Sequence, residues 1–512
     1  MGFVERLSLL HGMIVRGVLA LAVAGLAGGL VRPDRRWWRV TLPRLIGASA
    51  VPVAGVAWYL RSSGTVRDHY PPTFGVWAAA ALLAVLVAIA GWRSAGGWRR
   101  AVAVATVPFT LASLVVLVNS HYDYWPTVGD LLGRPLPDQI NRAELTELLA
   151  GRTQPPPPAG FARTTAPEDP SAIGGRAPRS GSGTAATSGG ASGSPKAGAT
   201  DGRAAAGAVP GRVAAARVAH AGRRSPRSSQ RVALVAAHGV VGAMDIPPGT
   251  SGFGHRKGVL YLPPAFLDTS RTALPVIVML GGAPGGPEDW TRGGFAARTA
   301  DAYAAEHHGV APILAFVDHN GSFTTDTECV DGPAGKAETF LSGDVPRFLS
   351  ALLHVPVDPR GWAIAGFSEG GTCAFEIAAR HPDVYGTFID LAGDRAPNLG
   401  SPAETLQKLY AGNRAAMAAH DPDNLLRPHQ FHNLRGWFLA GFSDSHHVAV
   451  AERLASAARV AGITVSNNVL AGGHTWRFAA AAFRAVLPSV ASQLDGGPTG
   501  PISKTVTATP SA

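Results

Sequence analysis

Residues 361–375 read G-W-A-I-A-G-F-S-E-G-G-T-C-A-F and place one serine, Ser368, where an apolar run gives way to a small-residue, helix-forming run. Glycines two positions to either side, Gly366 and Gly370, let a strand and a helix approach closely across a sharp turn, which holds the serine in a strained backbone. The hydroxyl then stands at a helix N-terminus, where the dipole and free N–H groups favour developing negative charge. The chemistry this suggests is nucleophilic attack on an acyl carbon. In a chain with 62 glycines the G-x-S-x-G pentapeptide arises easily by chance, so its weight comes from its place between strand and helix.

A serine hydroxyl needs a base, and the base needs an orienting acid. The run R-G-W-F-L-A-G-F, residues 435–442, ends in Ser443 and Asp444, and the run after it ends in G-G-H-T-W, which contains His474. The order Ser368, Asp444, His474, each just past a strand, is that of an α/β-hydrolase. Asp444 is expected to fix the imidazole tautomer, and His474 to take the serine proton and return it to the leaving group. His446 and His447 lie on the helix that follows Asp444 and are disfavoured as the base. Asp390 and Asp394, past the strand next to the nucleophile's, are rivals for the acid. An oxyanion hole needs two donors. One is expected from the N–H of Glu369, the other from the loop G-G-A-P-G-G-P-E-D-W at 281–290, by way of Gly282 or Ala283.

A second long loop, Asp318 to Pro333, overhangs the same rim. Its carboxylates Asp326, Glu328 and Asp331 lack the D-x-[DN]-x-[DN]-G spacing of a calcium loop and read as a solvated surface, so no metal site is assigned. The chain has two cysteines, Cys329 in this loop and Cys373 one helical turn past Ser368. In an exported domain the natural reading is a disulfide that staples the rim loop to the nucleophile helix, whereas in a reducing cytosol they would be two small buried hydrophobes.

The elements that must position these groups are short apolar runs alternating with amphipathic, Ala-rich segments. Candidate strands are 232–245, 258–262, 275–281, 311–318, 361–367, 385–391, 435–441 and 464–471, with helices at 370–380 and 447–461 among those between them. Such alternation predicts a mostly parallel sheet with helices on both faces, whose active groups gather at the C-terminal ends of the strands.

The first 120 residues have a different character. Apolar runs at 10–31, 42–60, 74–92 and 101–118 each approach the roughly 20 residues that a helix needs to cross a bilayer. The first run is followed by three more rather than by a mature domain, which fits a cleavable signal poorly. Arg32, Arg35, Arg36 and Arg39 follow the first run, and Arg93, Arg99 and Arg100 follow the third, while the loop between holds Arg61 and Arg67. Positive loops face the cytoplasm, so both the N-terminus and everything after the fourth helix are expected outside. Tyr122, Tyr124 and Trp125 follow the fourth run and suit either an interfacial aromatic belt or a packing contact with the globular part.

Residues 151–231, rich in Pro, Gly, Ser and Arg with no hydrophobic period, are expected to be a disordered linker, as are 492–512 at the C-terminus. The expected organisation is therefore an anchor over 1–150, the linker, and a catalytic domain over 232–491. On such a leash the domain would sample a layer some tens of ångströms deep. The net charge of +10 divides unevenly: residues 1–150 hold 14 Lys+Arg against 8 Asp+Glu, 151–232 hold 12 against 3, and 233–512 hold 19 against 24. The folded C-terminal part is thus slightly acidic, which argues against nucleic acid as a partner.

With these residues in view, 232–489 resembles the putative-esterase (esterase D-like) family of α/β-hydrolases, which also contains mycolyltransferases. The likeness rests on V-I-V-M-L-G-G, G-F-S-E-G-G-T-C-A, the G-F-S-D strand end and G-G-H-T-W. The four apolar runs and Y-W-P-T-V-G-D-L-L-G after them resemble actinobacterial membrane-anchored members. The resemblance implies ester hydrolysis or acyl transfer through an acyl-serine, without metal or organic cofactor; the tether to the membrane is what points to acyl esters of lipid or envelope glycan as substrates. Two other readings exist: a catalytically inactive hydrolase fold that binds or scaffolds envelope components, and a helical part that transports or senses. The second has few intramembrane charges to support it, essentially Arg16 and Arg44.

Overall fold

The computed structural model describes residues 4–150 and 238–494, apart from 33, 63–70, 93–95, 137, 248, 268–273, 324 and 428–430. The expected linker, the first residues of the expected strand at 232–245, and the tail from 495 onward lie outside the described residues.

Four helices, α1 (Met13–Leu30), α2 (Leu42–Ser62), α3 (Pro72–Gly91) and α4 (Gly97–Tyr122), coincide with the apolar runs. All four belong to segments long and apolar enough to cross a membrane. The helices of a soluble bundle would hide their large apolar side chains, yet Val51 is 71% and Val76 67% exposed, as lipid-facing residues are. Where α1 meets α4 the contacts are small and polar: a Cβ on Gly25 would run into Thr106. The hydroxyls of Thr106 and Thr110 bond back to the carbonyls of Val102 and Thr106, so these two hydroxyls are satisfied in apolar surroundings.

Beyond these helices, the described residues are built on a nine-stranded sheet. Its strands are β1 (Gln139–Ile140), β2 (Val240–Met244), β3 (Gly258–Leu262), β4 (Val276–Leu280), β5 (Ile313–Val317), β6 (Trp362–Phe367), β7 (Thr387–Leu391), β8 (Arg435–Gly441) and β9 (Thr464–Leu470). The spatial order is β1-β2-β3-β5-β4-β6-β7-β8-β9, and only β3 runs antiparallel to its neighbours. Strands buried on both faces read as continuous apolar runs, V-I-V-M-L in β4 and I-L-A-F-V in β5, instead of alternating. On β4, Val276, Val278 and Leu280 face one core and Ile277 and Met279 the other. The first core is covered by α7 (Val345–Leu353), α8 (Glu369–Arg380) and α9 (Ser445–Val460), the second by α6 (Ala296–Glu306) and α10 (Trp476–Leu494).

One feature of the chain path departs from the expected leash. β1 lies only 17 residues past the end of α4 and pairs in parallel with β2, and the helix after it, α5 (Arg142–Ala150), packs Leu145 against Gly242 of β2. The sheet thus takes in chain from both sides of 151–237. The sequence reading missed β1 because two paired residues carry no period. The reach of the intervening stretch therefore does not set where the hydrolase fold sits.

Candidate active site

The sheet brings its C-terminal strand ends to one rim, and three loops there hold the expected reactive groups. β6 ends at Phe367 and α8 begins at Glu369, so Ser368 alone makes the turn, with φ 59° and ψ −125°. That conformation is costly for a residue with a side chain, and packing holds it in place. A Cβ on Gly366 would collide with the carbonyl of Gly370, and one on Gly370 with the carbonyl of Gly281, so only glycine fits at either position.

The serine, histidine and aspartate selected by sequence order lie in one hydrogen-bonded line. His474 Nε2 is 2.8 Å from Ser368 Oγ, and His474 Nδ1 is 2.9 Å from Asp444 Oδ2. With Nδ1–H donating to the carboxylate, Nε2 presents its lone pair to the serine hydroxyl, the tautomer a general base requires. Burial alone would raise the Asp444 carboxyl, but the hydrogen bonds from His447 and His474 outweigh it and hold Asp444 well below the usual carboxylate range. It is an anion across the physiological range. The ring of Phe367 lies 4.9 Å from that of His474 and limits its movement.

Glu369 opens α8, and the first N–H groups of a helix have no acceptor within it. Gly282 lies against the nucleophile from the other side, where a Cβ would come 3.2 Å from Ser368 Cβ. Gly282 and Ala283 both remain candidates for the second donor. Asp390, a rival for the acid, is spent elsewhere: it is buried and accepts from the N–H of Gly393 at 2.7 Å. Asp394, the other rival, approaches His446 Nε2 at 3.3 Å and His447 Nε2 at 3.8 Å.

A disulfide joins Cys329 to Cys373 and ties the rim loop to α8. The loop is only in part the solvated surface its composition suggested: Asp331 is exposed, but the other two carboxylates are not. Glu328 is buried, and desolvation together with Asp326 and Glu369 pushes its carboxyl well up. Asp326, pushed up to about 7 by desolvation and by the Glu369 carboxylate, lies beside it. His319 Nε2 and Asn320 Nδ2 contact the Glu369 carboxylate at 2.8 and 3.0 Å. Burial disfavours the charged imidazole of His319, yet the carboxylates of Glu369, Asp318 and Asp326 more than reverse this and raise it. These supports escaped sequence reasoning because they are close only once the loop is folded. His447 carried a signal that was legible: it stands three residues after an N-cap aspartate, within reach of that carboxylate.

Among the described residues, three groups have the spacing of metal ligands: His319 with Cys329, Glu369 and Cys373; Asp394 with His446 and His447; and Asp444 with His447 and His474. The first has both sulfurs bound in the disulfide, and the third is the hydrogen-bonded line itself.

The model of the family described as "Putative esterase" matches residues 253–490, the part of the chain that supplies Ser368, Asp444 and His474. An uncharacterized protein of Corynebacterium glutamicum is 39% identical over 241 residues, which are 45% of this chain and 57% of that relative, so the chain spans little more than half of it. Among solved structures, a ferulic acid esterase is 19% identical, with 50% of this chain and 97% of that chain covered and a TM-score of 0.42. An S-formylglutathione hydrolase from Agrobacterium tumefaciens is 18% identical over 50% of this chain and 96% of that one, at 0.41.

Proposed function

We propose that this protein is a membrane-anchored serine esterase or acyltransferase, working outside the cytoplasm on acyl esters of lipid or envelope glycan. The observation that carries the reading is the line from Ser368 Oγ through His474 to Asp444, at 2.8 and 2.9 Å, with the serine on a strained turn at a helix N-terminus. As Ser368 Oγ attacks the ester carbonyl, its proton passes to His474 Nε2, and the new imidazolium is stabilised by the Asp444 anion. The oxyanion is received by the N–H of Glu369 and an N–H of Gly282 or Ala283. Collapse expels the alcohol, which takes the proton from His474 and leaves acyl-Ser368. Water or a second alcohol, deprotonated by His474, then releases the acyl group.

Two features support an apolar acyl substrate near a membrane. Phe442, just before Ser443 and Asp444, is 78% exposed, and Phe323 in the rim loop is also exposed. Exposed aromatic rings at the mouth of a site suit an acyl chain. The arginine-rich loops after α1 and α3 favour a cytoplasmic placement for those loops and hence an outer placement for the hydrolase fold. In this reading α1 to α4 anchor, 151–231 link, and 139–150 together with 238–494 form the fold that catalyses.

The test is labelling of the full chain by a fluorophosphonate, with hydrolysis of p-nitrophenyl esters of graded chain length. Wild type labels and turns over, whereas Ser368→Ala does neither. A folded wild type that does neither would rule the reading out.

A further inference from the structure

We infer that the end of the fourth membrane helix is part of the active site, with Tyr124 as a positioning residue that holds the oxyanion loop against Ser368. The inference rests on the serine-hydrolase reading above and adds a role for a segment outside the matched family region.

The chain leaves α4 at Tyr122 and turns at Asp123, which has a left-handed φ of 55°. Asn119 fastens that turn to the helix, as its Oδ1 accepts from the N–H of Trp125 at 2.7 Å and its Nδ2 donates to the Trp125 carbonyl at 3.0 Å. Arg477, three residues past His474, donates to the Asp123 carboxylate at 2.6 Å. Tyr124 is thereby directed at the hydrolase fold, and its hydroxyl lies 2.8 Å from Asp289 Oδ2 and 2.7 Å from the Pro284 carbonyl.

Both acceptors belong to the loop that begins with Gly281 and Gly282. Asp289 Oδ2 also accepts from the N–H of Gly286 at 2.6 Å, so one carboxylate oxygen gathers the tyrosine hydroxyl and the far limb of the loop. The fit at Gly285 is tight: a Cβ there would lie 2.5 Å from the Gly282 carbonyl, 2.6 Å from Asp289 Oδ2 and 2.7 Å from the tyrosine hydroxyl. From the opposite side Arg256, paired with Asp318, donates to the Gly285 carbonyl at 2.8 Å. The loop is held between a clamp from the hydrolase fold and one from the end of the membrane helix, and Gly282 of that loop meets Ser368.

The clamp is built for neutral donation. Burial and the neighbouring Asp289 raise the Tyr124 hydroxyl far above its ordinary value, so it keeps its proton. Burial likewise pushes Asp289 up to about 6 against the hydrogen bonds from Gly286 and Tyr124 that pull it down. Removing the tyrosine hydroxyl leaves Asp289 Oδ2 without that donor, and the loop can regain one only by moving. The ring of Tyr124 packs edge-on against Trp476 at 6.2 Å, and Trp476 packs in turn on Phe367, the residue before the nucleophile, at 5.1 Å. Tyr124→Phe retains that packing and removes only the hydroxyl.

The experiment uses the full chain in lipid nanodiscs with a short p-nitrophenyl ester, and kcat is expressed per site titrated by a fluorophosphonate. Because misplacing one oxyanion donor costs up to about 10²- to 10³-fold in kcat, Tyr124→Phe is expected to lower kcat about tenfold, with KM within about twofold of wild type. Asp289→Asn is expected to do the same, and the double variant to fall no further than either single one. A merely structural role would lower the melting temperature and the fraction of titratable sites but leave kcat per site alone. If wild type turns over and Tyr124→Phe keeps its kcat per site, or changes KM alone, the inference is overturned while the serine-hydrolase reading stands. If wild type and Ser368→Ala are equally inert, that reading fails and the inference falls with it.

Discussion

His447 Nδ1 lies 2.8 Å from both carboxylate oxygens of Asp444, the same carboxylate that His474 Nδ1 contacts at 2.9 Å. The two imidazole rings stack with centroids 4.4 Å apart. Asp444 thus has two imidazole partners, of which only His474 reaches the serine. His447 contacts the same carboxylate that contacts His474. Replacing it with alanine removes one of the contacts that keep Asp444 ionised and still. The expected result for His447→Ala is a kcat about three- to tenfold lower with KM little changed, measured as a kcat/KM profile from pH 5 to 9. A kcat equal to wild type across that range would show that His474 alone is enough to position Asp444.

Glu338 provides the clearest pH dependence of stability. It accepts from Arg380 Nε at 2.7 Å and contacts His381 Nε2 at 2.9 Å, pinning the C-terminal end of α8. Burial alone would raise its carboxyl, but His381 and Arg380 outweigh this and bring it down to about 2. A depressed carboxylate stabilises the fold fully above its unfolded value, near 4.5, and loses that contribution as pH falls towards 2. Glu338→Gln is expected to cost about 2 kcal/mol at pH 7 and to flatten the loss of melting temperature between about pH 4.5 and 2. An unchanged acid limb in the variant would place the dependence elsewhere.

The disulfide closes 44 residues of chain that include β6 and the nucleophile turn. Constraining a loop of that length in the unfolded state is worth about 4 kcal/mol in the chain-entropy account. Cys329→Ala with Cys373→Ala is therefore expected to lower the melting temperature by several degrees. It also frees the rim loop from α8, so the rate of fluorophosphonate labelling should fall relative to wild type. Calorimetry and labelling kinetics on the double variant, with and without reductant, check both outcomes.

The nucleophile turn tolerates no added carbon. Gly370→Ala drives a methyl group into the carbonyls of Leu280 and Gly281, which are backbone atoms of β4 and the loop after it and have nowhere to go. A destabilisation of at least about 2 kcal/mol is expected, and the displaced Gly281 carries the oxyanion loop with it, so activity falls further than the folded fraction does. Denaturation midpoints set beside titrated active sites separate the two effects.

How much of this was legible beforehand depends on the range of the interaction. The apolar runs of α1 to α4 and the strands 258–262 and 435–441 are local patterns of length and composition, and the structure reproduces them. Ser368, Asp444 and His474 were legible because a strand-ending serine, aspartate and histidine in that order reach a common rim once the sheet is parallel. The rim loop was misread as solvated because Glu328 carries the same letter whether it faces water or, as here, is buried. β1 was missed because it is defined by its partner β2, about a hundred residues away.

By itself, then, the sequence determined where helices and strands form, which residues have reactive groups, and the order in which a parallel sheet presents them. Only the tertiary structure decided that Asp444 serves two histidines, that Glu328 is shut away from water, and that Tyr124 reaches the loop beside Ser368. The reason is physical: periodicity and turn chemistry act over a few residues, whereas desolvation and hydrogen bonding depend on which distant segments meet, and that is settled by packing.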